Sequence, residues 1–347
     1  MVDTQLMRDP DGTSDLELPK IPTHKAPTNK SKITGYVGQP DAEGWVRRPA
    51  PPACGLDRVW HYTNGSGLIG IMESNKLWAT SLISLNDDTE FAHGYQVLEE
   101  VFAEISKSRN VAPAQKIYIQ QLLEEIQDPE LRANIFAFSA TEKKDSLSQW
   151  SRYTGNSTGY AISISTSHEM SVFGDTNVND SESYPQTPPT WRRVLYDFDS
   201  QRRLLLEGIA FCAMSAPPSG EIGRHQDMRE HKDLLIQLIA HCKNASFAEE
   251  DEVRLFSGSH SGIVNFRETK YGISSYIEVC SAGERSTGWK RTDTLLIATD
   301  TPIELPVTEI MIGPNNYMDS TEAGLRYFLK HSNREQINIS KTGSSVR

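Results

Sequence analysis

Gly159-Tyr160-Ala161-Ile162-Ser163-Ile164-Ser165 sets Tyr160, Ile162 and Ile164 against Ala161, Ser163 and Ser165. Successive side chains of a strand point to opposite faces, so this period of two predicts a half-buried strand. Working outward, Ile135-Phe136-Ala137-Phe138-Ser139 and Arg58-Val59-Trp60-His61-Tyr62-Thr63 are also β-prone, the latter stopping at Asn64-Gly65. Further extended segments are predicted at 77–83, 193–196, 253–257, 271–280, 295–299, 307–312 and 337–339. Between them the apolar period lengthens. Helices are predicted over 66–75 with Ser66 as cap, and over 88–108, where Phe91, Tyr95, Leu98, Phe102 and Ile105 recur at three and four. Others are predicted over 114–127, 146–153, 200–213, 226–243 and 320–329. Strands and helices interleave without clean βαβ alternation. The predicted fold is therefore α+β, with a mixed, mainly antiparallel sheet core and flanking helices, forming a single domain over residues 55–347.

Residues 1–54 read differently. Eight of the 18 prolines fall between Pro10 and Pro52, and apolar residues there are sparse and aperiodic. Such a segment buries too little surface to offset its ordering entropy, so a disordered Pro-rich leader is expected, with Trp45 as a handle for a partner. The chain carries 35 Lys and Arg against 46 Asp and Glu, a net charge of −11. That balance argues against general coating of nucleic acid, although a local groove seeded by Arg152, Lys243, Arg254 and Arg267 stays open. No run reaches the roughly 18–20 apolar residues of a membrane helix, and the first residues do not read as a signal peptide. Cys54, Cys212, Cys242 and Cys280 are widely separated, with no CxxC. Free thiols in the cytoplasm are the expected state.

The common catalytic signatures are absent: no Walker A motif, no G-x-G-x-x-G, no H-E-x-x-H and no G-x-S-x-G. Three clusters remain. His61, with Tyr62 and Thr63, ends a strand just before a helix, where a ring nitrogen can meet a sugar hydroxyl or a phosphate. A histidine satisfied by local backbone is the bland alternative. Ser139 is followed by a short helix carrying Trp150 and Tyr153 three residues apart, so both could line one wall or simply pack the core. Glu250, Glu252 and Arg254, read as one strand, share a face. They could form a charged site or an ordinary ion pair on a solvated edge strand. The acidic run Asn86-Asp87-Asp88-Thr89-Glu90 suits a helix N-terminus.

Taken together, five motifs resemble the bacterial domain-of-unknown-function family 2971. They are His61-Tyr62-Thr63 with its Leu68-Ile69-Gly70-Ile71-Met72 helix, Leu85-Asn86-Asp87-x-x-Glu90, Phe138-Ser139 with Trp150-x-x-Tyr153-x-Gly155, Glu250-x-Glu252-x-Arg254, and Ile310-Met311-Ile312-Gly313-Pro314. That resemblance runs from about Val59 to the C-terminus and implies no activity. The order of elements is also similar to the ADP-ribosyltransferase fold of the His-Tyr-Glu type, near its DNA-modifying toxin branch. This second resemblance implies NAD as substrate and transfer of ADP-ribose to a protein or nucleic-acid acceptor, in a toxin or phage-defence setting. His61 would hold a sugar of NAD, with Tyr62, Thr63, Ser139 and Arg254 around it. Tyr153 or Trp150 would stack on nicotinamide, Glu252 would meet the ribose 2′-hydroxyl and the growing positive charge, and Glu250 would orient the acceptor.

The chemistry is coherent by itself. The leaving group of NAD is already cationic, so cleavage needs an aromatic shelf, a sugar clamp and a carboxylate rather than a metal. Two other classes compete. A metal-dependent nuclease or phosphodiesterase would draw ligands from His61, Asp87, Asp88, Glu250 and Glu252. A non-catalytic binding or sensor module would use the same cleft without turnover.

Overall fold

The computed structural model describes residues 48–84, 88–109, 111–154, 158–173, 189–214, 225–257, 264–269, 272–281, 289–292, 295–298 and 302–344. In chain order the first elements are β1 (Arg58–Asn64), α1 (Gly65–Ser74), β2 (Leu77–Ser81), α2 (Asp88–Lys107), α3 (Pro113–Glu125), α4 (Pro129–Ala133), β3 (Phe136–Thr141) and α5 (Leu147–Tyr153). Then come β4 (Gly159–Ser165), β5 (Met170–Phe173), β6 (Thr190–Arg193), α6 (Phe198–Met214) and α7 (His225–Ile239). The last are β7 (Glu252–Ser257), β8 (Asn265–Thr269), β9 (Gly272–Ser281), β10 (Trp289–Thr292), β11 (Leu295–Ala298), β12 (Val307–Ile312), α8 (Met318–His331) and β13 (Asn338–Lys341). The described residues group into two compact units, one drawn from 48–51, 88–132 and 195–245, the other from 52–84, 133–194 and 246–344.

The second unit is built on one branched open sheet, in the order β10-β11-β5-β9-β2-β3-β1-β4-β12-β13, with β7 and then β6 branching from β3 and β8 from β9. Among the described strand pairs only β11–β5 and β12–β13 are parallel. One face carries the main core: Val59, Leu77, Phe136, Phe138, Ile162, Val253, Leu255 and Ile277 are buried there with Leu68 and Met72 of α1 and Leu325 and Leu329 of α8. The other face carries a smaller cluster of Trp60, Tyr62, Trp150, Ala161 and Met311. Strand β4 is therefore covered on both sides. Ser163, the polar member of the alternation, is fully buried and its hydroxyl lies 3.1 Å from that of Thr308.

Several boundaries differ from the sequence reading for local reasons. Asn64, not Ser66, caps α1, accepting from the Gly67 amide at 2.9 Å. The strand expected at 193–196 lies at Thr190–Arg193 instead. The end of the proline-rich leader is built into the fold: Ala53 bridges Arg192, the Cys54 amide donates to the Trp191 carbonyl, and the Arg193 amide donates to the Pro52 carbonyl. Prolines suit that outer edge position, where their missing N–H breaks no ladder. Residues 1–47, including Trp45, lie outside the described residues.

The first unit is helical. Gly94 of α2 lies so close to α7 that a Cβ there would stand 2.5 Å from the Ile239 carbonyl oxygen. Gln201 of α6 is buried and donates to the Leu195 and Lys243 carbonyls at 2.7 and 2.8 Å, while Lys243 pairs with Glu90 at 2.6 Å. Tyr118 and His231 share a buried hydrogen bond of 2.7 Å.

Candidate functional site

Strand β3 is the junction of the sheet. One edge pairs with β7 along its whole length, from Phe136↔Ser257 to Thr141↔Glu252. The other edge is shared: Phe136 and Ala137 pair with β2, and Thr141 pairs with Trp60 of β1. The strands β1 and β2 thus fork away from β3 around Ser139. The His61 ring sits in this fork, its Nδ1 donating to the Ser139 carbonyl at 3.0 Å and its centroid 4.4 Å from that of the tilted Phe138 ring. Burial, opposed by that hydrogen bond and reinforced by the Arg267 charge, lowers the His61 pKa from 6.5 to about 4. His61 is thus neutral at pH 7, and with Nδ1 protonated its Nε2 is an acceptor.

Strand alternation decides which side chains can meet. Directly paired residues project to the same face, so Trp60, Thr141 and Glu252 share one face, as do Ser139, Arg254 and Arg192 two residues on. His61, one residue from Trp60, belongs to the opposite face with Val59. His61 and Glu252 therefore rise from opposite faces, and the clamp expected of them is not formed by facing side chains. Thr63 shares the His61 face, next to α1.

The acidic cluster folds differently from the expected continuous strand. Residues 245–250 form a 3-10 turn, Asp251 takes a positive φ of 40°, and β7 starts only at Glu252. This left-handed residue breaks the alternation, so Glu250 and Glu252 acquire separate arginines. The Arg254 fork holds Glu252 through Nε to Oε1 at 2.6 Å and NH2 to Oε2 at 2.9 Å, with both residues buried. Glu250, also buried, pairs with Arg152 of α5, which reaches Glu249 at 3.2 Å as well. Strand β7 runs between β3 and β6, so it is not the solvated edge strand that was its bland alternative.

The segment between β3 and α5 is pinned to this turn. The Thr141 hydroxyl donates to the Glu250 carbonyl at 2.6 Å, and the Glu142 amide donates to the Asp251 carbonyl at 3.0 Å. Lys143 pairs with Asp251 at 3.1 Å. The Tyr62 hydroxyl closes the next turn, donating to the Lys143 carbonyl at 3.1 Å and accepting the Ser146 amide at 3.0 Å. Burial pushes its pKa well up. Tyr62 is thus a structural brace.

The two aromatic candidates on α5 separate cleanly. Trp150 is buried, meets Tyr62 edge-on at 4.5 Å, and donates its indole N–H to Asp145 at 2.7 Å. A Cβ at Gly313 would stand 2.7 Å from its ring, so this position must be glycine for Trp150 to fit. Tyr153 is 49% exposed and is the accessible ring of the pair. Beside α5 lies a surface hollow of about 560 Å³ lined by Lys143, Ser146, Leu147, Ser148, Ser151 and Glu249.

Two residues of this region were not singled out in the sequence. Asp251 carries no signal there, because only its φ distinguishes it. Asp145 binds Trp150, the Thr342 hydroxyl at 2.6 Å and the Gly343 amide at 2.8 Å, joining α5 to the end of the chain across nearly 200 positions. Partial burial alone would raise its pKa, but these hydrogen bonds hold it below the ordinary aspartate value. Among the described residues, no three His, Cys, Asp or Glu side chains come together to hold a metal. Asp87, one of the ligands considered for a metal, lies outside them. No helix among the described residues is long and apolar enough to cross a membrane.

No curated protein and no solved structure matches the chain. The motifs at 61–72, 85–90 and 310–314 lie outside the segment that a known family does match. That segment, residues 149–255, runs from the first turn of α5 into β7, holds Trp150, Tyr153, Glu250, Glu252 and Arg254, and matches the family described as Protein of unknown function (DUF2971).

Proposed function

We propose that the chain transfers ADP-ribose from NAD to a macromolecular acceptor, releasing nicotinamide, within an ADP-ribosyltransferase-like arrangement at the head of β7. The observation that carries this reading is the pair of buried glutamates, each with its own arginine: Glu250 is held by Arg152, whose helix also carries the accessible Tyr153 and, with Glu249, lines a hollow large enough for part of a dinucleotide. In this reading Tyr153 stacks on nicotinamide. Glu252, oriented by Arg254, accepts the ribose 2′-hydroxyl and sets its charge where the oxocarbenium-like cation grows. The bond between C1′ and the pyridinium nitrogen breaks, its electron pair leaving with neutral nicotinamide. The acceptor's nucleophilic atom, oriented by Glu250, then bonds C1′ and sheds its proton to water. His61 shapes the fork through Ser139 and has no direct part in the clamp.

The test is incubation of labelled NAD with the protein and a cell extract. Wild type is expected to label a macromolecule, and Glu252→Gln to lose about 10²–10³ of that rate, as for removal of one electrostatic group at a transition state. Glu250→Gln is expected to lower transfer while sparing nicotinamide release. Free nicotinamide without labelled product would indicate hydrolysis of NAD, and neither product from wild type would reject the proposal. One observation favours a second reading, a binding module without turnover: His61 and Glu252 rise from opposite faces. In that case NAD stays intact, and changing both glutamates to glutamine leaves the cellular phenotype unchanged.

A further inference from the structure

Of the four cations that could seed an anion site on this acidic chain, three are held by acids: Arg152 by Glu249 and Glu250, Lys243 by Glu90, and Arg254 by Glu252. Arg267 on β8 is different. It is half-buried, and one NH2 donates to the Thr80 hydroxyl at 2.8 Å. Its Nε is buried and has no acceptor among the described residues. Among the described residues it has no carboxylate partner. Glu278, on the same face of β9, is taken by Lys76 at 2.6 Å, and the exposed Glu268 points to the opposite face of β8. Burial lowers the Arg267 pKa, with only the Tyr276 hydroxyl opposing.

The guanidinium lies over two aromatic rings, 5.2 Å from the Trp78 centroid and 5.5 Å from that of Tyr276. Those rings are 4.7 Å apart and tilted by 34°, and Trp78 is 42% exposed. The arrangement follows from register: Trp78 and Thr80 of β2, Tyr276 of β9 and Arg267 of β8 all project to the face away from the main core. A partly desolvated cation without an acid is costly, and a small anion at the guanidinium would offset that cost even on a chain of net charge −11. A planar guanidinium matches two oxygens of one phosphate, and an open indole beside it accepts a base by stacking.

We propose that Arg267, Trp78, Tyr276 and Thr80 form a binding site for a free nucleoside monophosphate, its phosphate forked by Arg267 and its base stacked on Trp78. The site does not rest on the transfer reading above. The test is titration of the full chain with AMP, adenosine and inorganic phosphate, followed by calorimetry and by quenching of tryptophan fluorescence. AMP is expected to bind at least about tenfold more tightly than adenosine or phosphate alone, because each supplies half of the contacts. Arg267→Gln is expected to weaken AMP about tenfold and leave adenosine unchanged, whereas Trp78→Ala weakens both and removes the quench. Arg267→Lys, which keeps the charge and loses the fork, is expected to fall between. Thermal melting of each variant checks that it folds. Glu252→Gln should leave AMP binding intact, so loss of transfer and loss of this site are separate results. Failure of wild type to bind AMP at millimolar concentration would overturn the proposal. So would an Arg267→Gln variant that binds AMP as tightly as wild type.

Discussion

At the scale of single residues, the site turns on a conformation rather than on a functional group. Asp251 at φ 40° ends the 3-10 turn and starts β7, and this separates Glu250 from Glu252. Left-handed backbone costs an L-residue roughly 1–2 kcal/mol, less for Asp, and nothing for Gly. Asp251→Gly should therefore keep stability within about 1 kcal/mol, its gain offset by loss of the exposed Lys143 pair. Asp251→Val should lose about 2 kcal/mol in urea denaturation, since β-branched residues tolerate this region worst. Equal stability of the two variants would show that φ at this position is not constrained. The sequence names Glu250, Glu252 and Arg254 as a cluster, but strand periodicity puts them on one face. It carries no sign of the left-handed residue between them.

At the scale of elements, most strands and helices were legible because their periodicity is set by the faces they bury. The exceptions share a cause. Strands β5, β8 and β10 and the five-residue α4 were not predicted, being too short or too polar for a period to show. Helix contacts are equally hidden. Gly94 reads as a weak point in α2, where alanine would ordinarily add about 1 kcal/mol of helix stability. The Ile239 carbonyl 2.5 Å from its would-be Cβ reverses that sign. Gly94→Ala should lower stability by about 1–3 kcal/mol, measured as an earlier urea midpoint with unchanged slope. A variant as stable as wild type would mean that α2 and α7 can separate at no cost.

At the scale of the whole molecule, two histidines link folding to pH. His61 and His231 are both lowered from 6.5 to about 4, each chiefly by burial and with a nearby arginine adding to it. Between these values the unfolded chain binds protons that the native one refuses, so stability is full above pH 6.5 and falls as pH drops toward 4. Each histidine contributes on the order of 3 kcal/mol to that fall. Asp233, whose pKa burial raises, works in the opposite sense, whereas Asp145, held low by its hydrogen bonds, adds to the loss at the acid end of the window. The melting temperature should decline steadily from pH 6.5 to 4, and His61→Gln should flatten part of the decline. A melting temperature constant across that window would refute the buried neutral histidines.

The sequence by itself determined the α+β class, the largely antiparallel sheet and the residue types at the head of β7, because local patterns follow from local burial. Only tertiary structure decided that β3 forks between β1 and β2, that Trp150 is sealed while Tyr153 stays accessible, and that Arg267 has no acid among the described residues. Those outcomes depend on which distant strands pair and in what register, and a one-residue change of register turns every side chain to the other face.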